Sequence, residues 1–396
     1  MNTIKTADFQ GKSVLIRVDF NVPLNEELDV ADDTRMQAAL PTIRSVIEGG
    51  GIPILMSHLG RPKNGFKDEF SLGHIAGHLQ NITGNTVHFA NDCIGEGVNK
   101  ICDRAAVGEI VLLENLRFHP EEKAGDPDFA EALSRLGEVY INDAFGTAHR
   151  AHASTSIIAQ FFPQTKMFGH LMNKELDSLG KVLDKPQRPV TAILGGAKIA
   201  GKLDVIQNLL GLVDNIIIGG GMSYTFIKAQ GGAVGNSLVD LKRIEMALEI
   251  IDSATNQGVA LHLPTDSLVS REFSNESDIE TVDIHQIPEG WIGLDIGPQT
   301  INHYMEVIRD SKTIVWNGPM GVFEMSNFEQ GSRAIALAMV DATNSGAFSL
   351  VGGGDSVAAI NAFGLADKVS YVSTGGGALL EYMEGKTLPG VAAILS

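Results

Sequence analysis

The sequence predicts an α/β protein of two lobes, each a parallel sheet covered by helices on both faces. Short β-like runs alternate with helical patterns from Ser13 to Phe162, and the same alternation resumes at Val190. Alternation of this kind is typical of parallel sheets. A further helical pattern between the two halves, closed by Lys185-Pro186, predicts a connecting helix. We therefore expect a first domain over residues 1–170, an interdomain helix and hinge over 171–188, and a second domain over 189–387.

In the first half, the apolar runs are short enough to be buried strands, and the patterns between them have helical spacing. The sequence predicts strands at 14–20, 52–58, 86–89, 109–115 and 138–145 and helices at 32–50, 72–82, 128–136 and 155–162. Ligands of parallel sheets gather beyond the carboxyl ends of the strands. The residues that follow each run are therefore the candidates for a site.

Arginines and other polar residues follow these strands. The candidates are Asp19, Phe20 and Asn21 after the first strand, His58, Leu59, Gly60 and Arg61 after the second, Arg117 and Arg150 after later ones, and Arg35 at the start of a helix. The planar group of arginine pairs bidentately with carboxylate or phosphate. Several arginines together predict a site for a small, multiply charged acid, although a surface ion pair is the alternative for any single one.

The second half opens on an apolar run, 190–194, which two glycines end before a helical pattern. Strand, glycine turn and helix in this order aim free N–H groups at a phosphate. Lys198 and Lys202, four residues apart, would then share a helix face. The run nearly matches a P-loop, but Leu203 stands where Ser or Thr would hold Mg²⁺, so we reject that motif. A plain turn with solvated lysines is the alternative for this run alone.

Glycine turns recur in the strand-like runs that begin at residues 215, 314, 348 and 369. None has the G-x-G-x-x-G form of a dinucleotide site. Their backbone N–H groups suit the phosphates of a nucleotide. Asp355, directly after three glycines, is placed to hold Mg²⁺, and a helix N-cap is its alternative role. A pattern at 239–257 predicts an amphipathic helix without a chemical role.

The chain is acidic, with a net charge of -18, which argues against nucleic acid or an anionic membrane as a partner. Its two cysteines, Cys93 and Cys102, lack the spacing of a zinc site or a disulfide framework. No apolar run approaches the roughly 18 residues of a membrane span. We expect a cytoplasmic monomer.

An acid site in one lobe and a Mg-nucleotide site in the other form the arrangement of a kinase. Phosphoryl transfer depends on positioning and charge neutralisation, which Lys, Arg and Mg²⁺ supply. A different two-lobed kinase for another small acid is one alternative, which a panel of acids with MgATP would test. A non-catalytic nucleotide-binding module is another, and the intact Arg35, Arg117 and Arg150 argue against it.

Ten segments resemble the phosphoglycerate kinase family, and the resemblance covers nearly the whole chain. They are VLIRVDFNVP, DDTR, LMSHLGRP, LLENLRF, INDAFGTAHRAHAS, LGGAK, LDIGP, WNGPMGVFE, GGGDS and STGGGA. The chain departs from the family pattern at Ala200-Gly201, where a hydroxyl or acidic residue is common. The resemblance implies reversible, Mg-dependent transfer of the acyl phosphate of 1,3-bisphosphoglycerate to ADP, giving 3-phosphoglycerate and ATP, in glycolysis and gluconeogenesis. It also implies two Rossmann-like lobes, with the tail at 388–396 folded back onto the first.

The same resemblance implies roles for individual residues. The first lobe would bind phosphoglycerate through Asp19, Phe20, Asn21, Arg35, His58, Leu59, Gly60, Arg61, Arg117 and Arg150. The second would bind the nucleotide through Lys202, Glu324, Gly353, Gly354, Asp355 and Ser356, with the metal on Asp355. Arg35 and Lys198 would act on the transferring phosphoryl group, and Gly352 and Gly375 would lend backbone N–H groups as the lobes close.

Overall fold

The computed structural model describes residues 3–396 except 64, 198, 200 and 201. The chain forms two compact units, Met1–Leu176 with Thr387–Ser396, and Asp177–Lys386. The division between them falls within the helix His170–Leu183. Among the described residues, no helix has both the length and the apolar character needed to cross a bilayer.

The first unit is built on one parallel sheet of six strands. These are β1 (Ser13–Arg17), β2 (Ile52–Met56), β3 (Val87–Phe89), β4 (Ile110–Leu112), β5 (Val139–Asn142) and β6 (Lys166–Phe168). Their order is β3-β4-β2-β1-β5-β6, so that β1 is central, with Ile16 opposite Leu55 and Ile141. Strands buried on both faces have continuous apolar runs, which is why most of them could be predicted.

Helices cover both faces of this sheet. They are α1 (Thr34–Glu48), α2 (Gly73–Thr83), α3 (Glu96–Arg104), α4 (Pro120–Ala124), α5 (Pro127–Ser134) and α6 (His170–Leu183). Met36 and Ile43 of α1 and Ile75 of α2 pack with the sheet in one core. The predicted helix at 155–162 is wrong, because this segment is only a short 3₁₀ helix, Ile157–Phe161, which ends just before Pro163.

The second unit repeats this plan on another parallel sheet. Its elements are β7 (Val190–Leu194), α7 (Leu203–Leu209), β8 (Asn215–Ile218), α8 (Ser223–Ala229), β9 (Ala233–Val234), α9 (Ile244–Gln257), β10 (Ala260–His262), β11 (Asp266–Ser270), β12 (Ile279–Asp283), β13 (Gln286–Ile287), β14 (Ile292–Ile296), α10 (Pro298–Asp310), β15 (Thr313–Asn317), α11 (Gln330–Asn344), β16 (Phe348–Val351), α12 (Gly354–Ala362), β17 (Tyr371–Val372) and α13 (Gly376–Met383). The strand order is β10-β8-β7-β15-β16-β17.

Two small sheets accompany the large one, and neither was predicted from the sequence. The strands β12, β11 and β14 form an antiparallel sheet, and β13 pairs with β9. A second difference concerns α7, which begins at Leu203. Ile199 is buried but lies outside the helix, and Lys202 is the residue that precedes it. Lys202 therefore does not lie on a helix face.

The C-terminal segment packs on the first unit. Its helix, α14 (Pro389–Leu395), places the Gly390 N–H 2.8 Å from the Ala148 carbonyl. The Asn142 side chain donates to the Gly390 carbonyl at 3.3 Å. An added Cβ on Gly390 would lie 3.1 Å from Ala148 Cα, so a glycine allows this close approach.

Asp266 caps α10, and its replacement tests the second unit. The buried carboxylate accepts from the N–H groups of Gln299 and Thr300 at 3.0 and 2.8 Å. Asp266→Ala leaves these donors unpaired, and we expect it to lower the free energy of unfolding by about 1–3 kcal/mol. Urea denaturation followed by tryptophan fluorescence measures this unit, because both tryptophans lie in it. The exposed Glu280→Ala is the control, and equal stability of the two variants would contradict the capping role.

Candidate active site

Four polar side chains meet where β1 and β2 end. Asp19 follows β1 and accepts a hydrogen bond from Arg35 Nη1 at 3.0 Å. His58 follows β2, and its Nδ1 lies 3.9 Å from the other carboxylate oxygen of Asp19. The Asn21 side chain accepts from the N–H of Gly60 at 2.8 Å, which links the two loops. The structure thus brings these five predicted residues together.

Arg117 joins this group from the turn after β4. Its Nη1 donates to the Gly60 carbonyl at 2.8 Å, and its backbone N–H donates to the Asn115 side chain at 3.0 Å. Burial lowers the pKa of Arg117 to about 10, and the charges of Arg17 and Arg150 act in the same direction. These arginines are therefore close enough to repel one another.

Arg17, the last residue of β1, belongs to the site and was missed by the sequence analysis. It is only 1% exposed, its Nε donates to Ser154 Oγ at 2.9 Å, and its Nη2 lies 3.3 Å from His58 Nδ1. A guanidinium has donors only, so His58 Nδ1 accepts and the ring proton is on Nε2. An arginine within the apolar run VLIRV was the sequence feature that marks it.

Two histidines at this site are neutral at neutral pH. Burial lowers the pKa of His58 well below its ordinary value, and the charges of Arg17, Arg117 and Arg35 lower it further. Burial also lowers the pKa of His152 to about 4, again with a contribution from the arginines. The histidines therefore act as uncharged hydrogen-bonding groups, and the arginines carry the positive charge.

We call the residues around this site the basic cluster: Arg17, Arg35, His58, Arg117, Arg150 and His152. A buried carboxylate, Glu122, faces the cluster and accepts from the N–H and Oγ of Ser154 at 2.9 and 2.6 Å. Glu122 Oε1 also lies 3.8 Å from His152 Nδ1. Four arginines thus face two buried carboxylates, Asp19 and Glu122, and the excess positive charge suits an anion.

Other predicted members have a different placement. The side chains of Phe20 and Leu59 lie in the hydrophobic core, and the N–H of Phe20 donates to Ser57 Oγ at 2.8 Å. If Phe20 and Leu59 take part in binding, they do so through backbone atoms other than the Phe20 N–H. Arg61 and Arg150 are exposed, and Arg150 Nε donates to His149 Nε2 at 3.1 Å.

In the second unit, glycine turns line a pocket of about 430 Å³. Its walls include five of the six predicted nucleotide-binding residues, namely Lys202, Gly353, Gly354, Asp355 and Ser356. Lys202 Nζ donates to the carbonyls of Gly195 and Asn317. Burial lowers the pKa of Lys202 to about 8, although the Asp355 carboxylate opposes this shift. A lysine so placed is largely charged at neutral pH and gains from an anion beside it.

A second pocket, of about 470 Å³, contains Glu324, the sixth predicted nucleotide-binding residue. It shares Gly196, Ala197 and Asp355 with the first pocket. Its walls also include Phe273 and Leu238, which are 63% and 54% exposed. Nothing in the sequence marks these two residues, because only the fold brings their distant loops to one surface. The pair of pockets offers backbone donors and a lysine in one part and apolar walls in the other.

Asp355 lies in the first turn of α12, and Gly353 is the residue that precedes this helix, so Asp355 is not the N-cap. The Gly352 N–H donates to the Trp316 carbonyl at 2.9 Å in this structure, and its part during lobe closure stays a prediction. An added Cβ there would lie 1.9 Å from Leu379, which explains the glycine by packing. The Gly375 N–H is directed at Ser373 Oγ, 3.3 Å away.

Lys198 and the Ala200-Gly201 pair lie outside the described residues.

The chain is similar to known proteins over nearly its whole length. The family model described as phosphoglycerate kinase matches residues 4–386. A phosphoglycerate kinase of Porphyromonas gingivalis is 50% identical over 99% of this chain and 99% of its own. A phosphoglycerate kinase of Chlorobium limicola is 52% identical over 99% of this chain and 98% of its own.

Solved structures agree with these matches. The phosphoglycerate kinase of Coxiella burnetii is 37% identical with a TM-score of 0.90, and that of Pyrococcus horikoshii is 30% identical with a TM-score of 0.86. Each comparison covers 100% of this chain and 98% of the other. The chain therefore belongs to the phosphoglycerate kinase family, whose members transfer a phosphoryl group reversibly between 1,3-bisphosphoglycerate and ADP.

Proposed function

We propose that the basic cluster binds the phosphoglycerate and that the two glycine-lined pockets bind the nucleotide. The observation that carries this assignment is the opposite chemistry of the two sites. One is a set of arginines with too few carboxylates to neutralise them, and the other has backbone donors, a lysine and apolar walls. A small organic acid with a phosphate needs the first, and a nucleoside with a chain of phosphates needs the second.

In the first unit, the residues divide into those that bind and those that position. Arg117, Arg150 and Arg61 would pair with the phosphate and carboxylate of the acid. His58, with its proton on Nε2, would donate a hydrogen bond as a neutral group, and Asn21 would do so through its amide. Arg17 is a positioning residue, because its donation to His58 Nδ1 fixes which ring nitrogen carries the proton.

In the second unit, the N–H groups of the first turn of α12 have no partners within their helix. Together with Lys202 they would hold the nucleotide phosphates at Gly353, Gly354 and Ser356. Glu324 would accept hydrogen bonds from the ribose hydroxyls. Phe273 and Leu238 would cover the base with apolar surface.

The site fits Mg²⁺ on Asp355. Among the described residues, the exposed Asp355 carboxylate makes no hydrogen bond or ion pair, and it borders both pockets. Magnesium is commonly held by one or two carboxylates together with substrate phosphates and water, so one carboxylate is sufficient. When bound, the ion would neutralise charge on the phosphate oxygens.

Transfer requires the attacking oxygen of one substrate to come within about 3–3.5 Å of the transferring phosphorus of the other, with water excluded. We propose that hinge bending between the two units meets this requirement. We also propose that Arg35 and Lys198 neutralise charge on the transferring phosphoryl group. Arg35 is suited to this because it is half-buried and, among the residues described, its guanidinium pairs with one carboxylate, that of Asp19. The acceptor is a carboxylate that is already ionised, so the chain needs no general base for it.

We also propose that the chain acts as a monomer in the cytoplasm. Both cysteines are free, buried thiols, which suits a reducing compartment.

Substitutions in the two units should separate the two binding sites. We expect Arg117→Ala to weaken 3-phosphoglycerate binding by roughly 10–100-fold, the loss of a charge-assisted contact, and to leave MgADP binding unchanged. Asp355→Asn should weaken MgADP binding and leave 3-phosphoglycerate binding unchanged. Calorimetric titration of each ligand alone measures both.

The controls are Arg104→Ala in the first unit and Asp367→Asn in the second, which change exposed charges outside the described sites. Both should bind both ligands as the parent does. If either site variant lost affinity equally for 3-phosphoglycerate and for MgADP, the assignment of one substrate to each unit would be contradicted.

The pKa of Lys202 gives nucleotide binding a defined pH dependence. A phosphate beside the ammonium raises this pKa from about 8, so ADP binding at pH values above it must take up a proton. We therefore expect ADP affinity to fall as the pH rises through about 8. Calorimetry at such a pH in two buffers of different ionisation enthalpy counts the proton. Lys202→Met should abolish the uptake, and uptake that is absent from the parent or retained by the variant would contradict the role of Lys202.

A further inference from the structure

Three side chains of different chemistry, with no part in the proposed substrate binding, converge in the first unit. Asp92 and Cys93 lie in the loop between β3 and α3, and His119 lies directly before α4. One ligand atom from each, a carboxylate oxygen, the thiol sulfur and an imidazole nitrogen, lie within 4.8 Å of one another. Asp92 is exposed, His119 is half-buried and Cys93 is buried, so the group opens to solvent on one side.

The contacts within this group hold its members in place. His119 Nε2 lies 2.6 Å from Asp92 Oδ1, and the same oxygen accepts from the Cys93 N–H at 2.6 Å. Cys93 Sγ donates to the Glu114 carbonyl at 3.0 Å. The His119 ring stacks on Phe129 with a centroid distance of 5.0 Å, which restrains the plane of the imidazole.

We propose that Asp92, Cys93 and His119 bind a divalent transition-metal ion of the Zn²⁺ class, with water in the fourth position. One sulfur, one nitrogen and one oxygen ligand form a set that suits Zn²⁺ or Co²⁺. Mg²⁺ and Ca²⁺ require oxygen ligands, so they do not fit this set. The ion would tie the loop before α3 to the turn before α4.

The charges around the thiol favour a cation. Burial raises the pKa of Cys93 well above its ordinary value, and the carboxylates of Asp92, Glu122 and Glu114 raise it further. Burial, the larger cause, opposes a charged sulfur, whereas the negative potential of the three carboxylates attracts a dication.

Binding has a simple proton balance. The S–H bond of Cys93 breaks, its electron pair stays on sulfur and forms the metal–sulfur bond, and the proton goes to solvent. The His119 Nε2 lone pair must face the metal, so the neutral ring carries its proton on Nδ1 and the hydrogen bond to Asp92 is lost. One Asp92 oxygen becomes a ligand. One proton is released for each ion bound when the ring is neutral beforehand.

Titration of the full, metal-free chain with Co²⁺ tests the proposal. We expect one ion per chain with a near-ultraviolet charge-transfer band from thiolate to cobalt, which Zn²⁺ removes. Cys93→Ser should abolish the band. Asp92→Asn and His119→Gln should weaken Co²⁺ binding roughly tenfold or more, as losses of direct ligands.

Two controls make the readout specific. Cys102→Ser removes the other thiol and should keep the band, and so should Asp355→Asn, since a magnesium site of carboxylate and phosphate gives no sulfur band. A parent chain without the band at millimolar Co²⁺ would overturn the proposal, as would a band that persists in Cys93→Ser. If Cys93→Ser fails to fold by circular dichroism, the other two variants decide, and unchanged Co²⁺ affinity in both overturns the proposal.

Discussion

The excess of positive charge at the carboxyl ends of β1, β2 and β4 is the constraint on which the first unit depends. Buried charges are costly unless they are paired. Asp19 and Glu122 neutralise part of the charge, and burial keeps His58 and His152 uncharged. The remaining arginine charge is left for an anion. Binding of the acid thus completes an ion-pair network that the protein alone leaves incomplete.

The second unit offers a site for an anion through its backbone N–H groups, where the first unit uses arginines. Added Cβ atoms on Gly195 and Gly220 would lie 2.2 and 2.4 Å from backbone atoms of neighbouring turns. Glycines therefore let three turns pack against one another and expose peptide groups to the pocket. Lys202 is the side-chain cation that the described part of the chain places in the pocket, and its lowered pKa reflects the burial that this packing imposes.

The sequence was sufficient for the plan of the fold, because buried parallel strands have apolar runs. It also indicated most of the candidate residues that lie together in each unit, because polar residues and glycines follow those strands. It failed where the information is not local. Arg17 was missed since a charged residue inside a strand is usually a sign against burial, and its partners Ser154 and His58 are distant in sequence. Phe273 could not be predicted, because the other residues that line its pocket, such as Gly196 and Glu324, are distant in sequence. The small antiparallel sheet was missed because β12 is largely exposed and polar and lacks an apolar run.

The salt dependence of 3-phosphoglycerate affinity tests the central claim most directly, because the net charge and the basic cluster predict opposite signs. The chain carries -18, and screening of this global repulsion would strengthen the binding of an anion as salt is added. Local attraction to the arginines predicts that affinity falls as KCl rises from about 0.02 to 0.3 M. Arg117→Ala should reduce the slope. Calorimetric affinities that stay constant or rise with salt in the parent chain would contradict the account.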